Sequence, residues 1–212
     1  MKKIIPCLLV LFFAIPVFAG PETIIGGKPL SVDSGHSIAI GWPSMSYEWW
    51  NAGKPDWAIG GELVYGDWSG NFSNVSIGVA VNVPFRWNLK HSGKVDVGLK
   101  MVPGGMVGSK DSPGNNLFVS AIRGEMGVPI TVDLNDRINL ITGVAVPFTV
   151  MFVEHSDAFV IIPLLPRIGV EFEADHAITS FIMMELGPTI AIGNGNTDVE
   201  LGVRSWIGCT FW

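Results

Sequence analysis

Between Val75 and Leu89 the chain alternates with a period of two. Odd positions read Val75, Ile77, Val79, Val81, Val83, Phe85, Trp87 and Leu89. Even positions read Ser76, Gly78, Ala80, Asn82, Pro84, Arg86 and Asn88. A β-strand sends alternate side chains to opposite faces, so one face is wholly apolar and the other polar or small. Two more segments repeat the pattern. Val199, Leu201, Val203, Ile207 and Phe211 alternate with Glu200, Gly202, Arg204, Gly208 and Thr210, and a third run extends from Ile138 through Phe148 to Phe152. A soluble sandwich or lipocalin-like barrel calls for a polar outer face over an apolar interior. Long apolar faces opposed by charged ones fit the inverse, with lipid outside and a polar lumen inside.

Residues 1–19 read as a secretory signal peptide. Lys2 and Lys3 precede an apolar stretch from Cys7 to Val17, and Ala19 precedes the expected cut at Gly20. One domain is expected over 20–212. No later stretch has the roughly 18 uninterrupted apolar residues of a membrane helix. Cys209 is the one cysteine beyond the signal, so no internal disulfide is expected. Lys2 and Lys3 leave with the signal, so 11 of the 13 basic residues face 19 acidic ones, which argues against a nucleic-acid partner. Charged residues make up 15% of the chain, below the roughly 25% of a soluble domain.

Turn signals predict strands over 37–49, 56–66, 74–90, 94–107, 117–132, 137–153, 159–174, 177–192 and 198–212. Compact connections (51–54, 91–93, 133–136 and 174–176) alternate with longer ones rich in Gly, Asn, Asp and Ser (67–73, 108–116, 154–157 and 193–197). Outer-membrane barrels have short periplasmic turns, longer external loops and an even strand number. Parity therefore calls for one more strand over 21–32, ahead of an external loop at 32–36. The expected fold is all-β, a closed antiparallel up-and-down transmembrane β-barrel of ten strands, with eight as the alternative. Val79, Val83, Phe148, Leu164, Ile182 and Val203 are expected to face lipid.

Aromatics cluster near the expected interfaces. Trp49, Trp50, Trp57, Phe85, Trp87, Phe172, Phe211 and Trp212 lie near periplasmic ends, and Trp68, Phe72, Phe118, Phe152 and Phe159 near external ones. On these features the chain resembles the small bacterial outer-membrane β-barrel proteins over essentially its whole mature length. The resemblance is one of pattern, without a subfamily motif. It implies an outer-membrane location, contact with outer-membrane lipid and insertion by the barrel-assembly machinery, which reads a final strand ending in an aromatic residue. Trp212 is aromatic, but the apolar alternation runs through Phe211 and Cys209, one residue out of the usual phase.

On the lumen-facing parity lie Glu62, Arg86, Asp96, Lys100, Arg123, Glu125, Arg167, Glu171, Glu185, Glu200 and Arg204. Glu62, Arg86, Lys100, Arg123, Glu125, Arg167, Glu185 and Arg204 are the candidate site, an ion-pair layer across the lumen. Buried charges of opposite sign need one another, and such a layer closes a narrow barrel. The leading functional expectation is a plugged barrel with a structural or surface-interaction role. A narrow small-solute pore comes second. An outer-membrane enzyme acting on lipid or peptide is a distant third. Its strongest segment, Glu154-His155-Ser156-Asp157, has the residue types of a triad but only as sequence neighbours. No cofactor is expected, and no metal site, since no His/Cys cluster is present.

Overall fold

The computed structural model describes residues 24–66, 76–112, 115–154, 158–193 and 195–212. The signal peptide, Trp68, Phe72 and His155 lie outside them. Twelve strand segments form one antiparallel sheet: β1 (Ser34–Trp42), β2 (Ser44–Asn51), β3 (Asp56–Val64), β4 (Ser76–Asn82), β5 (Phe85–Ser92), β6 (Val95–Ser112), β7 (Asn115–Asn135), β8 (Ile138–Val153), β9 (Phe159–Pro163), β10 (Leu165–Asp175), β11 (Ile178–Gly193) and β12 (Asn196–Phe211). β4 and β5 are a single wall strand interrupted at Val83-Pro84, where proline cannot donate to the ladder. Both halves pair with β3 and β6. β9 and β10 are likewise one strand between β8 and β11. β12 pairs with β1 from His36↔Phe211 to Trp42↔Ser205, which closes a ten-stranded barrel.

The ladder fixes the barrel's dimensions. From Thr210 the direct partners run through Ser37, Glu48, Gly60, Asn82, Gly104, Arg123, Thr149, Ile161 and Ala191, returning to β12 at Asp198. One circuit thus climbs from 210 to 198, a stagger of 12 residues. Ten strands with that stagger tilt by about 40°, within the usual range for barrels.

Ten strands are present, but not the expected ten. The segment 37–49 is a hairpin rather than a strand: β1 turns at Trp42-Pro43 and runs back as β2, with Ile40 opposite Met45. Residues 24–32 form no strand. The chain thus enters β1 at the end that carries the compact turns, here called the lower end. The supposed external loop at 32–36 lies there too, since Ser34 pairs with Asn51.

The faces follow the alternation. Among the described residues, 35 large hydrophobics are exposed and 15 hydrophobics are buried, the reverse of a soluble domain. Val79, Phe148, Leu164 and Ile182 are exposed, while Val83 and Val203 share their outward parity and are half-buried. Trp49–Trp57 and Phe85–Trp87 make ring contacts low on the wall, with centroids 6.0 and 6.2 Å apart. Trp50 departs from the expected girdle. It points into the lumen at 0% exposure, because it falls on the opposite parity from Trp49.

Candidate functional site

The chain itself enters the lower end of the lumen. Residues 24–30 lie across the lower end, and Ile24, Ile25 and Leu30 pack into a core with Trp50, Ala58, Ile141, Phe181 and Met183. The segment has no strand partner, so the wall supplies its hydrogen bonds, as buried backbone groups require. Ile25 N donates to Glu171 Oε1 (3.4 Å), Gly27 N to Thr131 Oγ1 (2.8 Å) and Leu30 N to Asp56 Oδ2 (3.1 Å). Arg86 Nη1 donates to the Gly26 carbonyl (3.4 Å) and Asn88 Nδ2 to that of Gly27 (3.0 Å). Lys28 Nζ stands 3.6 Å from Asp133 Oδ1. A Cβ on Gly27 would lie 2.6 Å from both Gly98 N and Pro129 O, so only glycine allows this approach.

Above the segment, four charged side chains alternate in sign around a ring. Arg167, Glu185 and Arg204 are direct cross-strand neighbours on β10, β11 and β12. Arg167 Nη2 lies 2.9 Å from Glu185 Oε1 and 3.0 Å from Glu125 Oε1. Arg204 lies 2.9 Å from Glu125 Oε2 and also binds Glu185. Glu125 comes from β7, which borders none of those strands, so the ring bridges the lumen. The side chains of Arg167 and Glu185 are 1% and 0% exposed, and two carboxylates balance two guanidinium groups there.

A second bridge joins Arg123 on β7 to Glu62 on β3 at 2.8 Å, and Asn82 Nδ2 donates to the same carboxylate (3.0 Å). Lys100 lines the same cavity as Glu62, Arg123 and Glu125. Its cross-strand partner is Arg86, and the two lie 6.0 and 5.4 Å from the Trp50 ring. Arg86 pairs with Asp56 at 2.8 Å. Asp56 shares the parity of Glu62, so the signal for it was present, but it opens its strand beside a turn. Glu171 and Asp96 also lie low, the first holding the inserted segment and the second bound to Asn88 and His91. Glu200 is exposed at the upper end.

A cavity of about 130 Å³ lies among these groups, floored by Ile24 and Ile25 and bordered by Ser46, Glu62, Lys100 and Arg123. That is room for several water molecules. His36 is on the outer face, its Nδ1 2.7 Å from the Tyr47 hydroxyl, and so outside the lumen. Among the described residues no group of three or more His, Cys, Asp or Glu is placed to hold a metal ion.

No protein-family model matches the chain, and no curated protein sequence does. Solved structures do. The outer membrane protease OmpT from Escherichia coli is similar with a TM-score of 0.34 and 8% identity, over 84% of this chain and 92% of that one. A KdgM porin in complex with disordered oligogalacturonate is similar with a TM-score of 0.25 and 10% identity, over 84% and 98%. The chain's own closure, apolar exterior and charged interior give it the architecture of an outer-membrane β-barrel.

Proposed function

We propose that the chain is an integral outer-membrane barrel that does not conduct, with a structural or surface-interaction role. The observation behind this reading is residues 24–30, docked across the lumen with their backbone bonded to the wall. The Glu125–Arg167–Glu185–Arg204 ring adds a second barrier above them. A narrow small-solute pore is the second reading, favoured by the cavity that Glu62, Lys100, Arg123 and the ring residues line. On the leading reading the apolar exterior meets outer-membrane lipid, and the barrel-assembly machinery inserts the chain. Fractionation of the full-length protein with heat-modifiable gel mobility tests the location and the barrel. Planar-bilayer recording tests the lumen. Silent membranes at the applied voltages are expected, and steady ohmic steps would favour the pore.

A further inference from the structure

The lower rim is not evenly charged. The β2–β3 turn carries Lys54, and the β5–β6 hairpin carries Lys90 and Lys94, all exposed. The β7–β8 and β10–β11 turns carry exposed Asp136 and Asp175, beside half-buried Arg137 and exposed His176. Lysines thus gather under β3, β5 and β6. Among the described residues, most carboxylates near them point elsewhere. Asp56 pairs with Arg86 at 2.8 Å, Asp96 lies 3.0 Å from His91, and Asp133 lies 3.6 Å from Lys28. Exposed Asp33 is the exception, its carbonyl accepting from Ala52 N. The described chain begins at Ile24, in the lumen core with Phe181, and its interruptions at 67–75, 113–114, 155–157 and 194 fall between upper strand ends.

The outer face above the lysines is aromatic. Trp57 pairs with Phe85, Phe85 with Met101 and Trp87 with Leu99, all on the outward parity. A β-bulge sets Lys90 beneath these rings. The ladder slips between Asn88 and Lys90, so Lys90 pairs with Val97 on the outer face and His91 with Asp96 on the inner one. Without the slip Lys90 would share the inward parity of Arg86 and Asn88. On β6 its partner Val97 lies two residues below Leu99, so at about 40° of tilt Lys90 attaches about 5 Å below Trp87. Lys54 sits two residues before Asp56, which pairs with Arg86, and so stands near the level of Asn88.

We propose that the lower outer wall of β3, β5 and β6 binds an anionic phospholipid, with Lys54 and Lys90 on its phosphate and Trp57, Phe85 and Trp87 against its glycerol and upper acyl chains. The inference rests on the membrane-barrel reading above and names the lipid class for one sector of the exterior. Tryptophan and phenylalanine rings on a barrel wall sit at the membrane–water boundary, so ammonium groups just below them meet the headgroups. A lysine at an anionic lipid surface strengthens binding by about fivefold. A zwitterionic headgroup carries its own cation and gains less. A soluble acidic protein could reach the lysines but not the rings at membrane depth. Asp136 and Asp175 repel the same headgroup at the other turns, which confines the site to this sector.

The test is native mass spectrometry of the full-length protein in detergent, titrated with phosphatidylglycerol or with phosphatidylcholine of the same acyl chains. Acidic residues outnumber basic ones in the chain, so a preference for anionic lipid has to come from a local patch. The first phosphatidylglycerol is expected to bind roughly tenfold more tightly than the first phosphatidylcholine. Lys54→Gln with Lys90→Gln should bring the two lipids within about twofold, while heat-modifiable mobility stays unchanged. Lys54→Arg with Lys90→Arg should keep the preference, and so should Arg137→Gln at the β7–β8 turn. Equal affinity of the unaltered protein for the two lipids would overturn the proposal. So would a preference that survives Lys54→Gln with Lys90→Gln in a folded barrel. A preference lost equally with Arg137→Gln would overturn it in favour of overall charge. Steady conductance would count against the plugged reading alone.

Discussion

Replacing Gly27 by valine should undock the inserted segment. The magnitude follows from the contacts of residues 24–30. At least five hydrogen bonds tie the segment to the wall. At roughly 0.5–1.5 kcal/mol each they contribute about 5 kcal/mol. Burial of Ile24, Ile25 and Leu30 contributes about 7 kcal/mol, taking roughly 1.5–3 kcal/mol per side chain. Ordering seven residues opposes this by about 10 kcal/mol, at roughly 1–2 kcal/mol per residue. Docking is therefore favourable by only about 2 kcal/mol. A Cβ at Gly27 would meet Gly98 N, Pro129 O and Asp96 O at 2.6, 2.6 and 2.9 Å, all backbone of neighbouring wall strands. Such overpacking costs roughly 1–3 kcal/mol, enough to tip the balance. The assay is labelling by a water-soluble maleimide of Ile25→Cys in a Cys209→Ser background. Ile25 is 6% exposed, so labelling should be slow, and Gly27→Val should speed it at least tenfold. Unchanged slow labelling in a correctly folded Gly27→Val barrel would refute the argument.

Other expectations follow from the ring and the wall. Glu185→Gln leaves Arg167 and Arg204 with only Glu125 and should lower stability by about 3–5 kcal/mol, less where cavity water reaches them, as read by denaturant unfolding in detergent. Asp56→Asn strips the carboxylate from Arg86, whose side chain is 0% exposed, and also weakens the bond to Leu30 N, so both stability and shielding of Ile25→Cys should fall. Arginine at Ile182 or Leu164 should cost about 2–4 kcal/mol in bilayer refolding, whereas the same change at exposed Asp198 should cost little.

The barrel class was legible because period-two alternation on 15-residue strands has one cheap explanation in lipid. The pairing of Arg167, Glu185 and Arg204 was legible because parity and residue counts set register once the turns are placed. The β1–β2 hairpin was not. Pro43 interrupts 37–49, but Ile38, Ile40, Met45, Tyr47 and Trp49 supply apolar residues on both sides of the turn, so the segment reads as one strand with a slip. The inserted segment was hidden for another reason. Ile24, Ile25 and Leu30 have no strand period, and nothing local marks them as lumen filling. Gly26-Gly27 was the one signal, and its meaning lies in the distant Gly98 and Pro129 backbones. Trp50 was misread beside Trp49, although neighbouring residues on a strand cannot share a face.

Amide hydrogen exchange of residues 24–30 in the nanodisc-embedded protein tests the closed lumen most directly. The amides of Gly27 and Leu30 donate to Thr131 and Asp56 inside the barrel. They should exchange at rates comparable with the β7 and β3 amides beside them. Exchange within seconds, as in a free tail, would contradict the account and leave the barrel open from below.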